Sequence, residues 1–213
     1  MAANNLEPRC RQCRREGVKL YLKGDKCVGK HCTFDKESRR KPPGMHAASP
    51  FQRKVSEYGT QLREKQKCRR VYRVLEGQFR TYLAEAERRK GVTGENLLQL
   101  LETRLDNVIF RLGVASSRAM ARQMVSHRFF TVNGRRVNVP SYQVRVGDVI
   151  AVFPSKNDTD IVRGARDKAI SRGLPAWLEY KATEMVGTVV SLPTRDQIDT
   201  DVQEQLIVEF YSR

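Results

Sequence analysis

The dipeptide Asn133-Gly134 stands between the β-branched runs of FFTVNGRRVNV and restricts the local fold more tightly than any other feature of the chain. A two-residue type I′ turn requires positive φ at both central positions, which Asn-Gly tolerates best, so an antiparallel hairpin is expected. Two amphipathic helices lead into it. Leu97, Leu101, Leu105, Val108 and Leu112 recur at helical spacing and predict one helix, closed by Gly113 in the favoured C-terminal position. Ser116 or Ser117 offers an N-cap for a second helix with Met120, Ala121, Met124 and Val125 facing inward. Further strands are expected at residues 142–146 and 149–153 around Gly147-Asp148, at 185–192 and at 206–213, with a third helix over 161–171.

The polar positions of these elements are as informative as the apolar ones. Arg104, Asn107 and Arg111 fall at i, i+3 and i+7, which on one continuous helix places them opposite the leucine stripe. Arg118 and Arg122 lie one turn apart on the second helix, and Arg135 and Arg136 follow the hairpin turn. Any one of these arginines is as readily a solvated side chain. Together they set guanidinium groups on adjoining surfaces, where bidentate phosphate contacts are geometrically natural, and a docking face for folded RNA is expected.

Charge points the same way. Lys and Arg number 40 against 24 Asp and Glu, a formal net charge of +16. Residues 1–90 carry 24 basic and 10 acidic side chains, a net of +14, and residues 91–213 carry 16 and 14, a net of +2. Release of counterions from a polyanion drives binding by such a chain, so nucleic acid is the expected partner, contacted most by the first part. No apolar run approaches bilayer length and no secretory signal opens the sequence, so a cytosolic location without membrane contact is expected.

Four cysteines crowd the first 32 residues as Cys10-x2-Cys13-x13-Cys27-x4-Cys32. Two close pairs separated by a loop allow four thiolates to converge on one tetrahedral cation. The loop RREGVKLYLKGDK holds few apolar residues, so a metal is expected to supply much of the segment's stability. Four thiolates suit zinc, which the finger-like spacing favours, and they suit an iron–sulfur cluster as the alternative. His31 adjoins Cys32 and is more readily an exposed or RNA-facing residue than a ligand. Cys68, far from the quartet, reads as an ordinary helix thiol.

The linker KESRRKPPGMHAASP lacks periodicity. From Val55 to Lys90 two apolar sets at helical spacing, with Gly59 and Gly77 as interruptions, predict two or three helices. Gly91 and Gly94 mark the break into the second unit. The fold class expected is α+β: a metal-binding N-terminal segment and helical domain, then an α+β domain with an antiparallel sheet. The divisions are 1–45 for the cysteine segment and linker, 46–94 for the helical domain, 95–195 for the α+β domain with its RNA-binding module over about 103–165, and 196–213 for a closing segment that packs back on the helical domain.

The run RLDNVIFRLGVASSRAMARQMVSHRFFTVNGRRVNVPSYQVRVGDVIAV, residues 104–152, resembles the helix-helix-hairpin RNA-binding module named after the fourth small-subunit ribosomal protein. CRREGVKLYLKG, SEYGTQLREKQK, GENLLQLLETRLDNV and QEQLIVEFYSR resemble bacterial versions of that ribosomal protein itself, in the same order and at similar spacing. The resemblance implies direct binding to the 5′ domain of 16S-type ribosomal RNA, nucleation of subunit assembly and a contribution to translational accuracy. It also implies contact with the fifth small-subunit protein and proximity to incoming messenger RNA. Carried onto this sequence, it marks Arg104, Asn107, Arg111, Ser117, Arg118, Arg122, Gln123, His127, Asn133, Gly134, Arg135 and Arg136 as RNA-facing or turn-forming. HRFFTVNG departs from the family in having Arg128 and Phe129 where a Gly and a small or polar residue are common, so a differently shaped bend is expected there.

No enzyme is expected. His31, His46 and His127 are the only histidines, none lies in a nucleophile or metalloprotease motif, and no phosphate-binding glycine loop is present. An RNA-modifying enzyme built on this module needs a further catalytic domain, for which the roughly sixty residues after 153 are too few. A zinc-finger regulator of DNA lacks here both its ligand histidines and a groove-reading helix. Asp106 is expected to pair with a nearby arginine and Asp148 to form a turn. The closing acids Asp196, Asp199, Asp201 and Glu204 repel RNA and are expected to face protein or solvent.

Overall fold

A computed structural model describes residues 8–44, 55–157, 159–160, 162–164, 173–181 and 183–212, and the chain divides into two compact units, residues 1–85 with 201–213 and residues 86–200. The helices are α1 (Arg9–Glu16), α2 (Asp25–Val28), α3 (Glu57–Tyr72), α4 (Glu76–Arg88), α5 (Thr93–Glu102), α6 (Leu105–Arg111), α7 (Arg118–Ser126) and α8 (Glu204–Tyr211). The strands are β1 (Phe130–Val132), β2 (Arg135–Val137), β3 (Val149–Val152), β4 (Leu178–Lys181) and β5 (Val186–Val189).

In the first unit Ser56 caps α3, its Oγ accepting the Gly59 N–H at 3.1 Å. This is one of the first-turn donors a helix leaves open. The helix ends at Arg73, whose φ of 55° is left-handed. The Arg73 N–H donates to Arg70 O at 3.3 Å and the Val74 N–H to Arg69 O at 3.1 Å, which closes the last turn as a Schellman motif. The break between α3 and α4 therefore falls at Arg73, while Gly59 and Gly77 lie in first helical turns, where their cost is small.

Residues 204–211 form helix α8, which corrects the strand expected over 206–213. A short apolar run does not distinguish strand from helix by itself, and here docking decides. Ile207 is fully buried, Phe210 meets Tyr58 at 5.4 Å between ring centroids, and Tyr211 meets Phe79 at 6.3 Å. The Tyr211 hydroxyl donates to Glu76 Oε1 at 2.7 Å, and Lys65 reaches the same carboxylate at 3.0 Å. Burial opposes ionisation of Glu76, but bonds from Tyr211, Lys65 and Arg69 outweigh it and hold the carboxyl at about 2.

In the second unit the hairpin forms as expected. Asn133 and Gly134 take φ of 49° and 77°, and Val132 faces Arg135 across the turn. The antiparallel sheet runs β2-β1-β3-β5-β4. One face covers α6 and α7 around Leu105, Ile109, Val125, Phe130, Ile150 and Trp177. Gly187 in β5 lets the sheet approach α6: a Cβ there would stand 2.6 Å from Leu112 Cδ1. Strand β4 carried no expectation from sequence. The helix expected over 161–171 lies largely outside the described residues.

The single helix expected from Leu97 to Leu112 is two helices. Arg104, at φ −69° and ψ 137°, is extended and stands as the N-cap of α6. The strand expected over 142–146 is instead a strap across this break, tied by one bridge between Arg104 and Gln143. Tyr142 O accepts the Leu105 N–H at 2.8 Å, Pro140 O accepts the Asp106 N–H at 3.2 Å, and Thr103 O accepts the Val144 N–H at 2.9 Å. The strap thus satisfies donors that the opening turn of α6 would otherwise leave bare.

Candidate nucleic-acid interface

The break before Arg104 changes where the arginines of the module point. Arg104 is fully buried and grips Asp106 with both arms of its fork, Nε to Oδ1 at 3.1 Å and NH2 to Oδ2 at 2.7 Å. Arg122 joins the same carboxylate at 3.3 Å. A second cluster gathers on Glu102, which is also fully buried. Arg111 binds it bidentately at 2.9 and 2.8 Å, and Asn107 donates to it at 2.7 Å. Arg118 donates to Asn107 Oδ1 at 2.7 Å and lies over the Phe110 ring at 4.5 Å. Asp199 closes the cluster by pairing with Arg111.

The outward guanidinium face expected from Arg104, Asn107 and Arg111 is therefore corrected: these three side chains lie inside, bonded to carboxylates. The i, i+3, i+7 argument assumed a continuous helix, and the kink turns Arg104 inward. Asp106 pairs with arginine as expected. Glu102 was missed, although its place at the end of a leucine-rich helix, just before the run that holds Arg104, Asn107 and Arg111, put an acid within reach. Buried charges are tolerable when paired and hydrogen-bonded, and here the pairs lock α5, α6 and α7 into one rigid frame.

The remaining module residues lie along α7, from its N-cap to the bend after it, and on the hairpin. Ser117 is buried and caps α7, its Oγ accepting the Met120 N–H at 3.3 Å. Arg118 and Arg122 are largely covered, whereas Gln123, His127, Arg128, Asn133, Gly134, Arg135 and Arg136 are exposed. Asn133 also ties the turn to the loop before β3: its Nδ2 donates to Asp148 Oδ1 at 2.8 Å and its Oδ1 accepts the Val149 N–H at 2.9 Å. Asp148 Oδ2 accepts the Arg145 N–H at 2.8 Å, the turn role expected of it.

The bend between α7 and β1 keeps the shape that a glycine would give it. Arg128 has a φ of 60°, its N–H donates to Val125 O at 2.8 Å, and the Phe129 N–H donates to Met124 O at 3.1 Å. This is again a Schellman closure, with arginine in the left-handed position. The bend thus takes the left-handed closure that glycine commonly supplies, with Arg128 in that position.

In the N-terminal segment Cys13, Cys27 and Cys32 are buried and Cys10 is half-buried. Leu20, Leu22 and Phe34 are buried with them, and Glu16 of α1 bonds Arg70 of α3 and lies 3.5 Å from Arg63. The segment thus has a small apolar core and ion pairs that the sequence argument, which relied on a metal alone, did not credit. Burial pushes the Cys13 and Cys27 thiols up, and the neighbouring thiols add to this. Backbone amides of Leu20 and Lys23 donate to the Cys13 and Cys27 sulfurs, the latter at 3.2 Å. Among the described residues no group of three or more His, Cys, Asp or Glu is arranged to hold a metal ion, so the metal-binding character expected of the segment has no support in its geometry.

Comparison with known proteins accounts for both parts of the chain. Residues 4–102 match the family model described as "Ribosomal protein S4/S9 N-terminal domain", and residues 103–150 match the "S4 domain". The chain is 57% identical over 206 residues to "Small ribosomal subunit protein uS4" of Desulforamulus reducens, covering 97% of each chain. It is 58% identical over 204 residues to the protein of that name from Pelotomaculum thermopropionicum, covering 96% of each. It is also 58% identical over 206 residues to "Small ribosomal subunit protein uS4A" of Symbiobacterium thermophilum, with 97% of this chain and of that protein covered. The chain belongs to the uS4 family of small ribosomal subunit proteins, which are structural proteins and not enzymes.

Proposed function

We propose that this protein is a structural constituent of the small subunit of the cytoplasmic ribosome, that it binds 16S-type ribosomal RNA directly in its 5′ domain, and that it nucleates assembly and contributes to translational accuracy. The observation that carries this reading is the division of labour among the module's arginines. Arg104 and Arg111 are consumed by internal carboxylates and make the frame stiff, while Arg128, Arg135 and Arg136 are exposed at its rim. A rigid cationic rim on a helix-helix-hairpin frame recognises the shape of a folded RNA backbone at low ordering cost. Contacts with the fifth small-subunit protein and with incoming messenger RNA belong to the same proposal.

The test is RNA binding over a range of salt. The folded protein binds small-subunit ribosomal RNA far more tightly than an unfolded peptide of equal charge, and Arg135→Ala reduces the log–log salt slope by about one unit per lost phosphate contact. Equal binding by the unfolded peptide would overturn the reading.

The cysteine quartet is proposed to hold one structural zinc ion, with a four-cysteine iron–sulfur cluster as the alternative. Support comes from the spacing of Cys10, Cys13, Cys27 and Cys32 in the sequence, two close pairs separated by a loop. A bound metal would supply cross-linking and no chemistry. Elemental analysis of the purified protein reads zinc or iron directly, and chelation disorders residues 8–44 while leaving the second unit folded. Retained order after metal removal would rule out a structural metal.

A further inference from the structure

The sheet of the second unit has one face on the helices and an opposite face on which Arg136 and Val149 are exposed. Phe130, Val132, Ile150 and Val152 belong to the core, so by strand alternation Thr131, Ala151 and Arg136 share the opposite face. Phe153 continues that face beyond β3 and is tied to β1 by its N–H, which donates to Phe129 O at 2.7 Å.

Arg136 folds back along this face until its Cζ stands 3.6 Å from the centre of the Phe153 ring. At that separation an edge-on guanidinium would drive a nitrogen into the ring, so the two planes lie face to face. Arg136 remains exposed and its one described partner is the ring, so the outer plane of the guanidinium is open to solvent. Beside it Lys156 lies 5.2 Å from the centre of the Phe129 ring, a second cation on an aromatic surface at the same end of the sheet.

A flat, charged plane pinned from behind differs from an ordinary surface arginine. A free side chain loses rotamer entropy when it stacks on a ligand, and a pinned one has already lost it. Nucleobases stack on guanidinium planes, and proteins that hold unpaired nucleotides commonly offer such platforms on an open sheet face with cations beside them. A phosphate uses the in-plane N–H fork, which the ring leaves free, whereas the outer plane is a surface that a flat base can cover.

We propose that the exposed guanidinium plane of Arg136, backed by Phe153, is a stacking site for one unpaired nucleobase of the bound RNA, with Phe153 as the positioning residue. The proposal rests on the RNA-binding function proposed above. It adds a base contact to a surface otherwise argued from phosphate contacts.

The test compares the full-length protein with Arg136→Lys and Phe153→Leu in binding to transcribed small-subunit ribosomal RNA at several salt concentrations. Lysine keeps the charge and loses the plane; leucine keeps the apolar bulk and loses the ring. Each variant is expected to bind at least fivefold more weakly at an unchanged salt slope, the lower end of what loss of one stacked base costs. The double variant is expected to be little worse than either single one, because the two side chains act as a unit. Binding by Arg136→Lys within a smaller factor of wild type, or a loss accompanied by a changed slope, overturns the stacking site. Arg136 is exposed, so this variant decides the question even where Phe153→Leu melts early. Failure of the wild-type chain to bind the RNA would instead remove the functional reading beneath the proposal.

Discussion

Glu102 and Arg128 show opposite ways in which single residues serve this fold. Glu102 is an acid in a basic protein, completely enclosed and holding Arg111 and Asn107. Removing one partner of a buried charge cluster leaves the others uncompensated, so Glu102→Gln should cost roughly 3 kcal/mol, measured as a shift of the urea unfolding curve. Arg128 holds a left-handed φ that a Cβ disfavours. Arg128→Gly should therefore raise stability by about 1 kcal/mol in the same measurement. If the side chain is at the RNA, the same variant weakens RNA binding, and the two effects have opposite signs. The sequence showed the arginine and not its φ, because left-handed closure of α7 is set by bonds to Val125 and Met124, which composition does not encode.

At the scale of elements, α8 is held by chemistry that acid can undo. Glu76 is kept at about 2 in the fold against an ordinary value of 4.5, burial being outweighed by its bonds to Tyr211, Lys65 and Arg69. A carboxyl lowered by folding stabilises the fold fully above its unfolded value and loses that contribution as pH falls through its folded one. The docking of α8 on α3 should accordingly weaken between pH values of about 4.5 and 2, and Tyr211→Phe should move the loss toward the higher pH. Hydrogen exchange at residues 204–211 reads it. Between β5 and α6 the limit is space: Gly187→Ala places a methyl against Leu112 and should destabilise by roughly 1–3 kcal/mol in thermal melts.

Elements with a periodic pattern and a local stop were legible in the sequence: the Asn133-Gly134 hairpin, α7 with its Ser117 cap, and β3 and β5. What escaped was set by distant partners. The kink at Arg104 depends on a strap some forty residues later in the chain, and α8 is a helix because α3 offers it aromatic partners. For the candidate interface, the arginines were found and their directions were not, since direction followed from that kink.

The molecule as a whole is two units, and the first is completed by the last-named helix. Residues 201–213 belong with residues 1–85, and Gln61 in α3 bonds Glu209 in α8 at 3.1 Å. A chain ended after Thr200 should therefore lose protection in α3 and α4 in amide exchange and retain it in β1, β3 and β5. Equal loss in both units would show that their stabilities are not separable.

This placement of α8 has a consequence for how the protein comes into being. As the chain leaves the translating ribosome from its amino end, the middle portion has all its own pieces before synthesis stops, whereas the opening helices must wait for a companion made after everything between them. The most cationic stretch is thus born first and finished last. During that interval its lysines and arginines are available to any polyanion nearby.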